Sequence, residues 1–417
     1  MIFSTSDIDV LCLLRWCRYA DPEDLARVFG EATLANLSAF KLIHAQKYNT
    51  EEQRPGSAAQ KNGKTARKTR KAETESNTAE NTERESGKCQ KNCSALTLTG
   101  KGSEFLDTIL PGIPPEVPKT YRDQDIRRRI RVSRVALTGY RSGAALFNSS
   151  MTDLRRSPSF YMPVIARGQG SNPWSNSRIA AVARLGDLLA AIHYVCPRIG
   201  KLYLTDEMNS FNNNTSQIER VRRILIFGGE SYKSVLTALE ELPDDKESKF
   251  ISYADAYRRT GLAVHILPCN DTGALQLRLM SQTDYRRRLT VAALRAQYQP
   301  PPPEHPEWDA IFQGVPFVMT ADMELRRIDN AIRSAQELGM IPIAMAALKE
   351  QAEEVLNARY RDKHLARVFM LSEEAVKEVA SPVLHTPPST QFKTPEGGIV
   401  NVPLIQTAGK AGRPPRK

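Results

Sequence analysis

The sequence predicts a protein of mixed helices and strands, in the α+β or α/β class. Apolar residues recur at helical spacing near the start of the chain, with Ile8, Leu11 and Leu14 on one stripe. Further along, short apolar runs such as ILIFGG alternate with amphipathic segments such as ESYKSVLTALEEL, which is the pattern of buried strands followed by helices. A chain of 417 residues is long enough for two or three units of this kind.

Charge and composition favour a polyanionic partner. The chain carries 58 lysines and arginines against 47 aspartates and glutamates, a formal net charge of +11, and this balance suits DNA before an acidic membrane surface. The start, MIFSTSDIDV, is acidic where a secretory signal is basic, and no uncharged apolar run approaches the roughly 18 residues of a membrane span. We therefore expect a cytoplasmic protein without membrane contacts.

The first 48 residues predict three short helices. Asp21-Pro22-Glu23 is a typical helix start, with a capping carboxylate, a proline in the first turn and acids near the positive end of the helix dipole, and Gly30 is a typical stop. The third segment, EATLANLSAFKLI, places two leucines and a phenylalanine on one stripe. Cys12 and Cys17 lie in the apolar pattern of the first helix, which predicts that both belong to the core.

Two short extended segments follow these helices, far apart in the chain. Residues 42–48 and 95–99 each predict a strand, with Leu96 and Leu98 on one side of the second. Three helices followed by a two-stranded hairpin predict a winged helix-turn-helix over residues 1–110. The polar stretch 49–93 cannot bury enough surface to offset its ordering entropy, so we expect a disordered insertion in the wing loop. Loop closure costs grow only logarithmically with length, so the fold can tolerate such an insertion.

The motif LTLTGKGSEFL, behind three predicted helices, resembles the replication-relaxation family and its relatives. Those are winged-helix proteins carried by plasmids and integrative conjugative elements, chiefly in Gram-positive bacteria. The later order of a basic helix, short strands and DMELRRIDNAI is similar to that of accessory proteins of clostridial conjugative elements. The resemblance implies a protein of a mobile element, with a winged helix followed by an endonuclease-like domain.

A second domain is predicted over residues 121–298, after a linker at 111–120 that contains PGIPPEVP. It begins with the arginine-rich helix RDQDIRRRIRVSRVALTGYRSGAALF. SRIAAVARL and LLAAIHYV then predict a hairpin, with a single helix as the alternative because of their alanines, and KLYLTD predicts a third strand. With a short helix at SQIERVRR and a strand at ILIFGG, the order becomes helix, three strands, helix, strand. This order matches the restriction-endonuclease-like core.

The rest of the chain predicts an extension and a tail. GLAVHILPCNDTGALQLRLMS predicts a strand pair that turns at residues 270–273, and residues 283–298 predict a helix before the proline spacer QPPPPEHP. Alternating strand and helix patterns predict an α/β extension over residues 308–380. Residues 381–417 are rich in proline and glycine and predict a disordered basic tail that ends in AGKAGRPPRK.

The third helix carries the first candidate DNA contacts. In a winged helix this element enters the major groove, and its exposed face here would present Thr33, Asn36, Ser38 and Lys41. Asparagine can read an adenine edge, and lysine can meet a phosphate. The same face has no arginine and much alanine, so protein docking or homodimer formation stays open as the alternative.

Three further segments supply positive charge for DNA binding. The wing insertion contributes Lys64, Arg67, Lys68, Arg70 and Lys71. The arginine-rich helix contributes Arg127 and Arg128, and the tail contributes Lys410, Arg413, Arg416 and Lys417. The Gly-Arg-Pro triplet at 412–414 resembles an AT-hook, which lies in the narrow minor groove of A·T-rich DNA. For the insertion and the helix, the alternative is a charged surface that contacts only solvent.

Catalysis is not predicted. An endonuclease-like core needs an acid at the start of its second strand, where Asp187 falls, and an E-x-K on its third, but KLYLTD has Lys201 and no glutamate in place. We therefore predict an inactive core with no metal or cofactor. Asp322 follows a strand and predicts a helix N-cap instead of a metal ligand.

These observations together predict a non-enzymatic DNA-binding protein of a mobile element, which regulates its replication, conjugative transfer or transcription. Double-stranded DNA and proteins of a replication or transfer complex are the expected partners. Two alternatives stay open. One is a structural adaptor or dimerisation protein that uses the winged helix for protein contacts, and the other is a Mg²⁺-dependent nuclease.

Overall fold

The computed structural model mixes helices and strands, which confirms the α+β class. It describes residues 3–49, 92–110, 119–144, 159–161, 179–195, 201–216, 218, 220–240, 251–380, 389–393 and 399–403. None of the helices in these ranges combines the length and the apolar content that a membrane span needs.

Three helices begin the described chain: α1 Thr5–Cys17, α2 Pro22–Phe29 and α3 Glu31–Ala39. Side chains cap the first turns of α1 and α2. The Ser4 and Asp7 side chains cap α1 reciprocally, and the Asp21 carboxylate accepts a hydrogen bond from the Glu23 amide at 2.9 Å, as the sequence predicts for α2. Cys12 and Cys17 are buried on α1, so their predicted place in the core is confirmed.

A two-stranded antiparallel sheet follows, formed by β1 Ile43–Asn49 and β2 Asn92–Leu98. Ile43 lies opposite Leu98, and Ala45 lies opposite Leu96, so the predicted pairing of these two leucines with the first strand is confirmed. The register runs without a break to the pair Asn49 and Asn92. Residues 50–91, which hold most of the predicted insertion, lie outside the described ranges.

The TGKG motif after β2 locks the hairpin to the end of α3. The Thr99 hydroxyl donates to the Lys41 carbonyl at 2.7 Å and accepts from the Gly102 amide at 3.0 Å. A Cβ atom at Gly102 would collide with the backbone carbonyl of Leu42, so only glycine allows this close approach. Helix α4, Gly100–Ile109, starts from this junction.

Five strands form the central sheet: β3 Ser159–Tyr161, β4 Ile179–Leu185, β5 Leu188–Tyr194, β6 Arg222–Gly229 and β7 Ala263–Pro268. Their spatial order follows the chain order. Strand β4 is antiparallel to both neighbours, whereas β5, β6 and β7 are parallel. The hairpin formed by β4 and β5 confirms the preferred prediction, and the single-helix alternative is wrong.

Helices cover both faces of this sheet. Strand residues alternate between two cores, with Ala190 and Ile192 in one and Leu189 and Ala191 in the other. The first core includes α5 Asp123–Arg141 and α9 Asp271–Met280; the second includes α6 Lys201–Asn214, α7 Tyr232–Glu240 and α8 Tyr253–Thr260. The first core also contains the buried residues of α1 to α4, so the N-terminal helices and the sheet share one apolar interior.

Two predicted strands are helices in the structure. KLYLTD begins α6, where Leu204, Met208 and Phe211 are buried at helical spacing while Leu202 is 76% exposed. The alternation of Leu202 and Leu204 was misleading because the six-residue window is too short to show the longer period. GALQLRLM belongs to α9, which the Asn270 side chain caps by accepting from the Gly273 amide at 3.2 Å.

A second sheet has the order β11-β10-β9-β8. Its strands are β8 Ala310–Phe312, β9 Val315–Met319, β10 Ile343–Ala346 and β11 Arg367–Met370. The helices around it are α10 Tyr285–Leu294, α11 Leu325–Glu337, α12 Lys349–Gln351, which continues as a π-helical stretch Ala352–Arg361, and α13 Glu373–Val379. Within the segment predicted to be a disordered tail, β12 Ser389–Lys393 pairs antiparallel with β13 Ile399–Pro403.

Candidate nucleic-acid interface

Helix α3 presents only part of the predicted DNA-contacting set to solvent. Ser38 and Lys41 are exposed, but Thr33 and Asn36 are half-buried. The Thr33 hydroxyl donates to the Phe29 carbonyl at 2.9 Å. The Asn36 amide donates to the Asp7 carboxylate at 3.2 Å, which holds α3 against α1. Asn36 therefore orients the helix in this conformation and is not aimed at a base edge.

The exposed face of α3 consists mainly of small side chains. It contains Glu31, Ala32, Ala35, Ser38 and Ala39. Such a surface permits a close approach of another molecule, because no long side chain stands between the helix backbone and its partner. It supplies little positive charge, so attraction for a polyanion has to come from other parts of the chain.

Helix α5 connects the N-terminal helices to the central sheet. The Arg127 guanidinium donates to the Asn49 carbonyl at the end of β1, at 3.0 Å, and the Tyr140 hydroxyl donates to the Asp9 carboxylate on α1, at 2.8 Å. Both predicted arginines of this helix, Arg127 and Arg128, are half-buried. The arginine-rich helix is thus a packed element that carries positive charge along one wall of a cleft.

We call this concavity the cationic cleft; its volume is about 970 Å³. It lies where α5, the N-terminal hairpin and the carboxyl ends of the neighbouring strands β5 and β6 meet. Ligands commonly bind outside the carboxyl ends of strands in open α/β sheets. The side chains that give the cleft its chemistry are Asp21, Tyr48, Arg127, Arg131, Arg134, Tyr194, Glu230 and Lys233.

Arg134 occupies the centre of an ion-pair network in the cleft. Its guanidinium contacts Asp24 at 2.9 Å and Glu230 at 3.0 Å, and Asp21 lies 3.9 Å away. Although burial disfavours the charged form, the hydrogen bonds to Asp24 and Tyr194 and the Asp24 charge leave the pKa of Arg134 above its usual range. Arg134 is therefore charged but already neutralised by acids.

The remaining cations of the cleft lie on two elements. Arg127 and Arg131 come from α5, and Lys233 comes from the first turn of α7, where its side chain is exposed. In the described part of the chain, no hydrogen bond or ion pair involves the Lys233 ammonium group. Lys233 was absent from the sequence-predicted set, since only the tertiary fold brings α7 beside the arginine-rich helix.

The other predicted DNA contacts lie outside the described residues. They are Lys64, Arg67, Lys68, Arg70 and Lys71 in the insertion, and Lys410, Arg413, Arg416 and Lys417 in the tail. Their roles stay predictions from the sequence.

Asp187, the carboxylate expected for an endonuclease, is exposed in the turn between β4 and β5, directly before the predicted second strand LLAAIHYV. The segment expected to form the third strand, KLYLTD, is helical instead. The sequences of β4 and β5, IAAVARL and LLAAIHY, contain no acidic residue. At the end of β5, the His193 imidazole lies 3.5 Å from the Glu207 carboxylate, and both are buried.

A second polar cluster lies between the two sheets, where His265, Asp322 and Glu324 have ligand-type atoms within 4.8 Å of one another. Such a set could in principle bind a divalent cation. However, the Asp322 carboxylate already accepts a hydrogen bond from Tyr285 at 2.8 Å and contacts Arg327 at 3.4 Å and Arg286 at 3.8 Å. This cluster is therefore a buried structural joint.

Asp322 corrects one further expectation, since it does not cap a helix. The following helix starts at Leu325, and its N-cap position is Glu324. Burial by itself raises the pKa of Asp322, but Arg327 and Arg286 outweigh it and hold the pKa well below its usual range. Asp322 is therefore a fully buried carboxylate kept charged by two guanidinium groups.

Comparisons with known protein families, curated proteins and solved structures find no match to this chain.

Proposed function

We propose that this chain is a non-enzymatic DNA-binding protein whose N-terminal unit acts as a winged helix on double-stranded DNA. The observation that carries the proposal is the unbroken antiparallel register from Ile43–Leu98 to Asn49–Asn92. This register pairs Asn49 with Asn92, the two residues that flank the lysine- and arginine-containing stretch 50–91, at the end of the hairpin that follows α3. A wing with a cationic extension in this position would meet the phosphate backbone beside the groove that α3 enters.

The charge distribution supports this assignment. The small exposed side chains of α3 allow a close fit into the major groove, whereas the phosphate contacts would come from the insertion, the tail and the exposed Lys41. Base contacts by α3 alone would be few, so we expect modest sequence specificity and a strong dependence of affinity on salt concentration.

The central sheet supports a scaffold role in place of catalysis. Its strands follow one another in chain order, with β4 antiparallel to its neighbours. The sequence predicts an endonuclease-like core for this region. Strands β4 and β5 lack the acids that would bind Mg²⁺. Together with the resemblance of LTLTGKGSEFL to replication-relaxation proteins, this favours a regulator of the replication, transfer or transcription of a mobile element.

A binding measurement on the full chain tests this function. The affinity for unrelated labelled duplexes, followed by fluorescence anisotropy between 50 and 200 mM salt, should fall steeply, with a logarithmic slope of about −0.9 for each phosphate neutralised. Replacing residues 50–91 by Asn-Gly, the typical two-residue hairpin turn, should reduce that slope, because ten cations of the insertion are removed. Seven of them form an uninterrupted positive run: Arg54, Lys61, Lys64, Arg67, Lys68, Arg70 and Lys71.

A length-matched control separates charge from tethering. A chain in which these seven residues are changed to glutamine keeps the full insertion and should bind as weakly as the deletion. A chain that lacks the last ten residues tests the tail in the same assay and should lose preference for A·T-rich duplexes. Duplex binding too weak to detect at 50 mM salt in the full chain would refute the proposed function.

The alanines on α3 favour one second candidate, a docking or dimerisation role of the N-terminal unit. Ala32, Ala35 and Ala39 are exposed together, and small residues permit close helix contacts. The variant Ala35→Glu distinguishes the candidates. If α3 enters DNA, the variant lowers duplex affinity and leaves the sedimentation coefficient unchanged; if α3 docks on a second copy, sedimentation changes and duplex affinity does not.

A further inference from the structure

We propose that the cationic cleft binds an unpaired DNA strand, separately from the duplex contacts of the N-terminal unit. This inference deepens the proposed function, since it assigns a second nucleic-acid site and its substrate class. The volume of about 970 Å³ lies at the upper end of the roughly 300–1,000 Å³ typical of pockets that enclose small organic ligands. The cleft can therefore accommodate a nucleotide unit of a strand that crosses it.

The charged groups on its walls match a phosphodiester backbone. Arg127 and Arg131 on α5 and Lys233 on α7 all line the cleft. Arg134 lies between acids and serves to hold Glu230 and the α2 carboxylates in place. A strand that runs between α5 and α7 would have cations on both sides, and the exposed ammonium of Lys233 is the one best placed to move towards a phosphate.

Two tyrosines supply the aromatic rings on which unpaired bases can stack. Tyr48, on β1, and Tyr194, at the end of β5, both line the cleft. Tyr194 also bonds Arg134, which fixes the ring beside the cations. Aromatic faces interleaved with cations are the usual means of binding single strands without sequence preference, because every base offers a face for stacking.

The same arrangement disfavours a duplex in the cleft. Bases of a duplex are stacked on one another and show only their edges in the grooves. They cannot offer a face to Tyr48 or Tyr194 without leaving the helix, which costs unstacking energy. An unpaired strand has free base faces, so it can satisfy the tyrosines and the cations at once.

Anisotropy of a fluorescein-labelled fifteen-residue oligo-dT with the full chain provides the test. Lys233→Glu should weaken binding of this strand about tenfold, through loss of one phosphate contact and added repulsion. Tyr48→Leu should weaken it at least about fivefold, because a stacked base is lost, whereas Tyr48→Phe keeps the ring and should change affinity less than about twofold. Lys363→Glu, the matched reversal of an exposed lysine outside the cleft, should have no effect.

Two further measurements distinguish strand binding in the cleft from the proposed duplex binding. The cleft variants should leave duplex affinity within about twofold, while replacement of residues 50–91 by Asn-Gly should lower duplex affinity and leave strand binding within about threefold. A photocrosslink from 5-iodouracil in the strand should map to Tyr48 or Tyr194. Equal strand affinity of Lys233→Glu and Lys363→Glu, with thermal unfolding midpoints unchanged, would overturn the inference, whatever the duplex result.

Discussion

The Arg134 guanidinium on α5 lies 2.9 Å from the Asp24 carboxylate on α2, and this ion pair fixes the N-terminal helices to the central sheet. The same arginine reaches Glu230 at the end of β6, so one side chain connects three parts of the fold. The cationic cleft exists only because these parts are held together. Its walls come from the hairpin, from α5 and from the segment that begins α7.

Asp24→Ala should destabilise the protein by about 1–3 kcal/mol, because it leaves a partly buried guanidinium without its strongest partner. Urea unfolding followed by circular dichroism measures the loss. The control is Arg27→Ala, since Arg27 also contacts Asp24, at 3.4 Å, but its side chain is 61% exposed; its cost should stay below about 0.5 kcal/mol. Equal costs for the two variants would contradict a special role of Arg134.

Gly102→Ala should destabilise the junction between α3 and the hairpin by about 1–3 kcal/mol, because the added methyl group collides with the Leu42 backbone. Gly100→Ala is the matched control two residues earlier, where an added Cβ meets no atom within 4 Å. That change should be neutral or stabilise by about 0.5–1 kcal/mol. Thermal or urea unfolding of the two variants compares them directly, and similar stabilities would show that Gly102 is not sterically required.

Asp9 should make stability depend on pH in a defined window. Burial raises the pKa of Asp9 to about 6, partly opposed by the hydrogen bond from Tyr140. Between the usual value of 3.8 and 6, the folded protein therefore keeps a proton that the unfolded chain has released. The free energy of unfolding contributed by this group falls as pH rises through that window, by up to about 3 kcal/mol, and is constant above it.

The variant Asp9→Asn removes this titration. Its stability relative to the natural chain should increase between pH 4 and pH 6.5, as measured by urea unfolding at each pH. Tyr140→Phe, which deletes the hydroxyl that favours the carboxylate, should extend the pH-dependent range upwards. A stability difference between Asp9→Asn and the natural chain that is independent of pH would contradict the raised pKa.

Asp322→Ala should cost about 3–5 kcal/mol, because it removes a buried carboxylate that contacts Arg327 and Arg286 and accepts a hydrogen bond from Tyr285. The comparison is Glu353→Ala, which breaks the surface pair with Lys349, whose members are 56% and 66% exposed. That loss should be below about 0.5 kcal/mol. A small effect of Asp322→Ala in urea unfolding would mean that the cluster between the sheets does not support the fold.

Sequence reasoning succeeded where the signal was local. The helix starts at Ser4 and Asp21 depend on side chains within three residues of the amides they cap, and such contacts survive in any tertiary context. The pairing of Leu96 with the first strand was also predictable, because two short extended segments behind three helices are expected to form a hairpin.

Sequence reasoning failed where a short segment fits both the helical and the strand period, or where the residues that interact lie far apart in the chain. Leu202 and Leu204 fit a strand, and only burial of Phe211 beneath the sheet shows that the segment is a helix. The sequence predicts that Asn36 contacts DNA, but in the structure its side chain donates a hydrogen bond to Asp7. The sequence also predicts that Asp322 caps a helix, but in the structure its carboxylate contacts Arg327 and Arg286.

The sequence by itself determined the element types of the strongly periodic segments, the hairpin around the polar insertion and the excess of positive charge. Only the tertiary structure decided that Lys233, Tyr48 and the α5 arginines share a cleft. The physical reason is range: hydrophobic period and capping act within a few residues, whereas a binding surface is built by contacts between elements whose separation in the chain leaves no trace in local composition.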